Sequence, residues 1–149
     1  MIPQTLAQLF ERDLKRLKKE IEQYTDESAM WSIVDGISNS GGNLCLHLIG
    51  NLNAFIGVPL ANSDYQRDRP FEFAGKDVPK EKLLADIDAT IEMINQSVGV
   101  LTDSQLSEDY PNQIWGKPTK TDFTLLQLYG HFNYHLGQIN YHRRIVTNV

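Results

Sequence analysis

The feature that most constrains the fold of this chain is the spacing of its apolar residues. In four separate segments they recur at intervals of three and four positions with polar residues between them, which is the period of an amphipathic α-helix. The pattern predicts helices over residues 3–24, 40–56, 79–99 and 121–145. Because strand-like alternation is almost missing, we predict an all-α fold: a four-helix bundle formed by a single domain over residues 1–149.

Capping residues mark several of the predicted helix ends. Residues 38–40 offer side-chain oxygens that can accept from the first backbone N–H groups of the second helix. Gly57 and Pro59 are expected to end that helix. Thr121 or Asp122 is expected to cap the fourth helix.

Two long connections separate the predicted helices. Residues 57–79 contain three prolines and two glycines without a sustained period, and residues 101–120 form a second loop whose aromatic residues should pack locally. A connection as long as the first can cross the length of a bundle, which would let the second and third helices run parallel. The apolar run at residues 30–34 is too short to assign by period, so a strand and an irregular link both stay open.

Charge and composition exclude several functions. A formal net charge of -5 argues against binding to nucleic acid by neutralising phosphates, and no run approaches the roughly 18 uninterrupted apolar residues of a membrane span. Residues 1–4 do not begin a secretory signal, and the single cysteine, Cys45, has no partner for an internal disulfide. We therefore expect a cytoplasmic protein with no nucleic-acid or membrane partner.

The histidines are the candidate functional residues. Three of the four lie in the fourth predicted helix, where His131 and His135 differ by about 40° around the axis and one turn along it. A zinc-type ion needs at least three protein ligands, so a third must come from another helix, and His47 is the histidine found there. His142 lies about 10 Å along the axis from His135 and is assigned a structural or surface role.

Spacing alone leaves a second interpretation open, because a histidine pair four residues apart on a helix is more often packed or exposed to solvent than bound to metal. The second predicted helix supports a site, since Asn43, His47 and Asn51 lie on one stripe flanked by leucines. A buried imidazole ligand needs a partner for its second nitrogen, and an asparagine side chain or a backbone carbonyl can provide one.

Three motifs resemble those of a known family. The fourth helix contains His-x-x-x-His followed closely by Gly-Gln (residues 131–138), and the second contains Asn-Leu-x-x-His-Leu-x-Gly-Asn (residues 43–51). The first connection contains Arg-Asp-Arg-Pro-Phe (residues 67–71). Together these segments resemble the DinB/YfiT-like family, and the resemblance covers nearly the whole chain.

The resemblance implies a fold, a cofactor and an activity. It implies a bundle with an up-down-down-up course, one divalent ion, Zn or Ni, held by His47, His131 and His135, and a homodimer. Characterised members of the family include transferases that use a low-molecular-weight thiol such as bacillithiol or mycothiol. The first hypothesis is therefore a metal-dependent thiol S-transferase that joins a small-molecule thiol to an electrophilic substrate, with Tyr134, Gln138 or Asn51 orienting that substrate.

Two other functions stay open. A metal-dependent hydrolase would need a general base from tertiary contact, such as Asp35 or a loop carboxylate, since no Asp or Glu stands beside the three histidines in sequence. A non-enzymatic, stress-related helical bundle would use the histidines for packing. Cys45 is not a candidate nucleophile, because it lies about 160° around the helix from His47 and is expected to be a small buried side chain.

Overall fold

The computed structural model describes residues 1–148 and is built from helices. Over these residues no β-strand forms, and the β-type pairing is a single bridge between Asp109 and Lys120. The α-helices, in chain order, are α1 (Ile2–Glu22), α2 (Glu27–Met30), α3 (Gly41–Leu52), α4 (Val58–Ala61), α5 (Arg69–Ala74), α6 (Lys80–Ser97) and α7 (Thr121–Thr147). The all-α prediction is thereby confirmed.

The four longer helices, α1, α3, α6 and α7, contribute to one continuous core. Helix α1 shows how the sequence directs this packing, because Phe10, Leu14, Leu17 and Ile21 follow each other at helical spacing and are all fully buried. Each such side chain stabilises the fold by about 1.5–3 kcal/mol on burial. Helix α1 packs mainly on α6, and α3 packs on α5 and α7. The up-down-down-up course stays a prediction.

The predicted end of the second helix is wrong. The backbone passes from α3 into a π-helical turn, Asn53–Gly57, and continues helically to Ala61, where Asn62 adopts a left-handed conformation with φ 52°. Pro59 does not break the helix, because it lies in the first turn after the π-turn, where a missing N–H removes no required hydrogen bond.

The continuous helical segment Gly41–Ala61 is long and apolar enough to cross a membrane by length and composition, with a mean hydropathy of 1.6. In the structure, 56% of the tested window is buried inside the protein. Packing in the bundle core accounts for this composition. No long uninterrupted apolar run marks this segment in the sequence, because polar Asn and His residues interrupt it.

The long connection before α6 is more ordered than predicted, since it contains α5. The carboxylate of Asp68 caps α5 by accepting from the backbone N–H of Phe71 at 3.1 Å. Asn43 of α3 donates its side-chain amide to the backbone carbonyls of Glu72 and Gly75, at 3.1 and 2.8 Å. These bonds fix the connection against the helix that carries His47.

Two further predictions are resolved at the helix ends. Residues 30–34 form no strand; the chain there leaves α2, whose N-cap, Asp26, accepts from the backbone N–H of Ser28 at 2.9 Å. At α7 the N-cap is Lys120, not Thr121 or Asp122. The hydroxyl of Thr121 instead donates to the backbone carbonyl of Glu108 at 3.0 Å, so the preceding loop, rather than a side-chain cap, fixes this end.

Candidate metal centre

Three histidines from two helices meet at one point. One ring nitrogen of each of His47, His131 and His135 lies within 4.8 Å of the corresponding nitrogens of the other two. The ring centroids are 4.6 to 5.1 Å apart. The structure therefore brings together all three residues that the sequence analysis selected.

The local sequence explains this convergence. His131 and His135 are one turn apart on α7, so their rings lie above one another on the face that packs on α3. His47 is central in α3, where it is 5% exposed and flanked by buried leucines. Because the two helices pack directly, the ring of His47 is held against the pair on α7.

The spacing of the nitrogens fits a shared metal ion. The Nε2 atoms of His47 and His131 are 3.2 Å apart. Two nitrogens bound tetrahedrally to one ion at about 2.0–2.1 Å would lie about 3.3 Å from each other. A set of imidazole nitrogens suits Zn, Ni and similar divalent ions, so the cluster can hold such an ion.

A buried carboxylate occupies the other side of His47. Nδ1 of His47 is 3.0 Å from Oε1 of Glu72, which lies on α5 and is 4% exposed. Arg67 binds the same carboxylate through two hydrogen bonds, both 2.9 Å long. Since a carboxylate accepts the Nδ1 proton, Nε2 of His47 keeps its lone pair directed at the other histidines.

Sequence reasoning missed Glu72 and proposed an asparagine or a backbone carbonyl in its place. That prediction is wrong: Asn43 binds the backbone of the connection, while Oδ1 of Asn51 is buried and accepts no hydrogen bond from the described residues. The sequence feature that could have indicated this role is the position of Glu72 between two phenylalanines, directly after the Arg-Asp-Arg-Pro segment. This stretch shows no helical period, so the search for helical periodicity did not select Glu72.

Glu72 carries its charge in this environment. Burial acts to raise the pKa of the Glu72 carboxyl, but the hydrogen bonds from His47 and Arg67 together outweigh that effect and lower it. A charged carboxylate is the form that best orients a histidine ligand and increases its basicity.

The two histidines on α7 are held in the neutral form. Burial, together with the neighbouring His135 and His47, lowers the pKa of His131 from 6.5 to about 4. Burial also lowers the pKa of His135, whose Nδ1 lies 2.7 Å from Oε1 of Gln138. Gln138 thus accepts the Nδ1 proton and leaves Nε2 of His135 unprotonated. Neutral imidazole is the form that binds metal.

The histidines open onto a cleft of about 690 Å³. Aromatic, aliphatic, amide and cationic groups form its wall, and none of the described lining residues carries a carboxylate. The remaining lining residues are Asn51, Phe55, Arg67, Arg69, Phe73, Ile114, Trp115, Gln127 and Leu128. Of the three residues considered for orienting a substrate, only Asn51 reaches this cleft; Tyr134 and Gln138 line a neighbouring one.

His142 and Cys45 lie outside the centre. His142 is buried, with Nδ1 2.7 Å from the hydroxyl of Tyr24 and Nε2 2.9 Å from the carbonyl oxygen of Ser32, which is the structural role that was one of its two predicted ones. Cys45 is fully buried, as expected, and burial raises the pKa of its thiol. Neither residue has a free reactive group facing the cleft.

The fold and site define an all-helical protein with a three-histidine cluster that can hold a metal ion. Residues 4–149 match the family described as "Protein of unknown function (DUF1572)". The chain belongs to this family, which is DinB-like. No curated protein matches the chain.

The solved structures with the same fold include proteins from three bacteria. A conserved protein from Enterococcus faecalis is 18% identical with a TM-score of 0.78, covering 100% of this chain and 99% of that one. The DinB-like protein YjoA from Bacillus subtilis is 14% identical with a TM-score of 0.70, covering 96% and 92%. A DinB-like protein from Bacillus cereus is 18% identical with a TM-score of 0.65, covering 91% and 86%. At these identities the similarity establishes the fold.

Proposed function

We propose that this protein binds one divalent ion, Zn or Ni, through His47, His131 and His135, and uses it to transfer a low-molecular-weight thiol to an electrophilic substrate. The observation that carries the proposal is the convergence of three imidazoles on one point that opens onto a cleft. Three protein ligands are typical of catalytic sites, since they leave a coordination position for a substrate.

The ion would supply positive charge that lowers the pKa of a thiol, so that the thiolate is present near neutral pH. The protein supplies geometry. Glu72 and Gln138 hold the His47 and His135 rings in the tautomers that present Nε2. In the transfer step the thiolate sulfur forms a bond to the electrophilic carbon, and the leaving group departs with the electrons of the broken bond. The thiol proton goes to solvent.

The lining of the cleft supports thiol transfer over hydrolysis. A hydrolase gains from a carboxylate that takes a proton from the attacking water, and over residues 1–148 no carboxylate lines this cleft. The acid beside the histidines, Glu72, is held by Arg67 and contacts the side of His47 that faces away from His131. Asp35, considered earlier as a base, is not among the lining residues. A thiol needs no such base once its pKa is lowered.

We also propose that the protein is a cytoplasmic homodimer and that its long helices run up-down-down-up. A single buried thiol suits a reducing compartment. Exposed apolar side chains on α7, among them Leu126 at 59% and Tyr141 at 70%, support pairing of two copies. Light scattering during size-exclusion chromatography tests this part, and a monomer at micromolar concentration would contradict it.

The activity is tested on protein purified without added metal. Emission spectroscopy should find about one equivalent of a divalent metal per chain, and conjugation of a chromogenic electrophile should require both that metal and an added low-molecular-weight thiol. A chelator should abolish turnover and re-added Zn or Ni should restore it. Turnover that persists without thiol would point to hydrolysis, and the absence of turnover with every thiol tested would remove the proposal.

A further inference from the structure

Arg69 is an unpaired cation at the metal cleft. Its guanidinium lies 5.3 Å from the ring centroid of Phe73, which in turn lies 4.8 Å from the ring of His47. Among the described residues, Arg69 makes no ion pair and no side-chain hydrogen bond. Arg69 is exposed, and stacking on Phe73 holds its cation at the wall of the cleft that the histidines also line. Its five N–H donors have no acceptor among the described residues.

The second arginine of the cleft, Arg67, is already paired with a carboxylate. Arg67 directs two hydrogen bonds at Glu72 and its guanidinium lies 5.2 Å from the ring centroid of Phe55. Its charge is therefore balanced by the carboxylate behind His47. Asp68, the acid next to Arg69 in sequence, caps α5 and lines a third cleft, separate from both the metal cleft and the cleft of Tyr134 and Gln138. No described residue on the wall of the metal cleft carries a negative charge that balances Arg69.

The positive charge at the cleft wall contrasts with the negative net charge of the whole chain. The chain has a formal net charge of -5, yet the described residues of the cleft wall include two arginines and no acid. Low-dielectric walls such as those of Phe55, Phe73 and Trp115 strengthen the attraction between such a cation and an anion that enters.

We infer that Arg69 receives an anionic group of the substrate, a carboxylate or a phosphate, while the substrate's thiol lies at the three histidines. Arg69 is thus a specificity-determining residue, and the inference rests on the proposed function in that it assigns the charge class of the thiol. A guanidinium is suited to this task because its fork of donors binds either anion through two parallel hydrogen bonds.

The direct test uses Co(II)-loaded protein, because a thiolate on cobalt gives a charge-transfer absorption band that reports binding without turnover. Two probes of similar size are titrated: 3-mercaptopropionate, which is anionic, and 3-mercapto-1-propanol, which is neutral. Wild-type protein should bind the anionic thiol about 5- to 10-fold more tightly. In Arg69→Gln that preference should disappear, with binding of the neutral thiol unchanged. Arg69→Lys should keep part of it.

The matched control is Arg144→Gln, which makes the same change in net charge at an exposed position of α7 that does not line the cleft. It should retain the wild-type preference. Equal binding of the two thiols by wild-type protein, or equal losses in Arg69→Gln and Arg144→Gln, would overturn the role of Arg69 while leaving the proposed function standing. If neither thiol produced the absorption band, the proposed function itself would fail.

A metal-free measurement keeps the inference testable even then. Trp115 lines the cleft and is 43% exposed, whereas the other tryptophan, Trp31, is 5% exposed. Quenching of tryptophan fluorescence by iodide relative to acrylamide therefore reports the potential near Trp115. The iodide-to-acrylamide ratio should fall in Arg69→Gln and not in Arg144→Gln. An unchanged ratio in Arg69→Gln would contradict the positive cleft.

Discussion

The protein contains two buried histidine environments that differ in the partners of their nitrogens. At His142 both ring nitrogens face groups of the protein, the hydroxyl of Tyr24 and the carbonyl of Ser32. At His47 one nitrogen faces Glu72, and the other faces the imidazoles of His131, 3.2 Å away, and His135. Both residues are at most 5% exposed, so burial does not separate them. The difference shows that a histidine with both nitrogens satisfied holds the fold, whereas one whose remaining nitrogen faces other histidines is available for a ligand.

The largest effect that tests this contrast is loss of metal binding in His131→Ala. Removing one of three ligands should weaken the affinity for Zn or Ni by more than about 100-fold, since even residues behind the ligands change it by about 10- to 100-fold. The metal-free variant should fold at least as stably as wild type, because Nδ1 of His131 is buried with no hydrogen-bond partner among residues 1–148. Competition with a chromophoric chelator measures the affinity for the metal. An affinity within threefold of wild type would contradict the difference in role between the histidine cluster and His142.

The reverse result is expected for His142→Ala. The substitution leaves a cavity and deprives the Tyr24 hydroxyl and the Ser32 carbonyl of their partner, so the free energy of unfolding should fall by about 2–4 kcal/mol. Metal affinity of the folded protein should stay within about twofold of wild type. Tyr24→Phe, which removes one of these bonds without a large cavity, should cost about 1 kcal/mol. Urea titration measures both variants, and loss of metal in His142→Ala would contradict the account.

A smaller effect separates the ligands from the residues behind them. Glu72→Gln retains an acceptor for Nδ1 of His47 but removes the charge that balances Arg67, so metal affinity should fall about 10- to 100-fold. Glu92→Gln is the control, because it makes the same charge change at an exposed position of α6. Equal affinities in the two variants would show that Glu72 does not tune the centre.

The smallest effect is a pH dependence of stability in metal-free protein. Burial lowers the pKa of His142 below its ordinary 6.5, so under mildly acidic conditions the unfolded chain binds a proton that the folded chain does not. Stability should therefore decline as the pH falls below about 6.5. His142→Gln should show a shallower decline over the same range in urea titrations at successive pH values. An identical slope in the variant would assign the dependence to other groups.

The fold was predictable because helical periodicity is a local property. The stripe of Leu14, Leu17 and Ile21 needs only a few neighbouring positions to be seen, and it predicted a helix that forms. The end of the second helix was not predictable in this way, because the π-turn that lets the backbone continue past Pro59 depends on the packing of the whole segment. Residue propensities describe the average effect of a proline on a helix, and they do not include the packing around this particular proline.

The candidate site was predictable in part for the same reason. The pair on α7 follows from a four-residue spacing, and His47 follows from the need for a third ligand. Glu72 and Arg69 lie in a connection without a period, and their places follow from α5 docking on α3. That docking depends on Asn43 reaching backbone carbonyls about 30 positions away, at Glu72 and Gly75, which no local pattern encodes.

The most direct test of the account is the anomalous difference density of crystals grown from zinc-loaded protein, collected on both sides of the zinc absorption edge. We expect one strong peak within about 2.0–2.3 Å of a ring nitrogen of each of His47, His131 and His135, and none beside His142. A peak at other residues, or rings of His47 and His131 turned away from each other with zinc bound elsewhere, would contradict it.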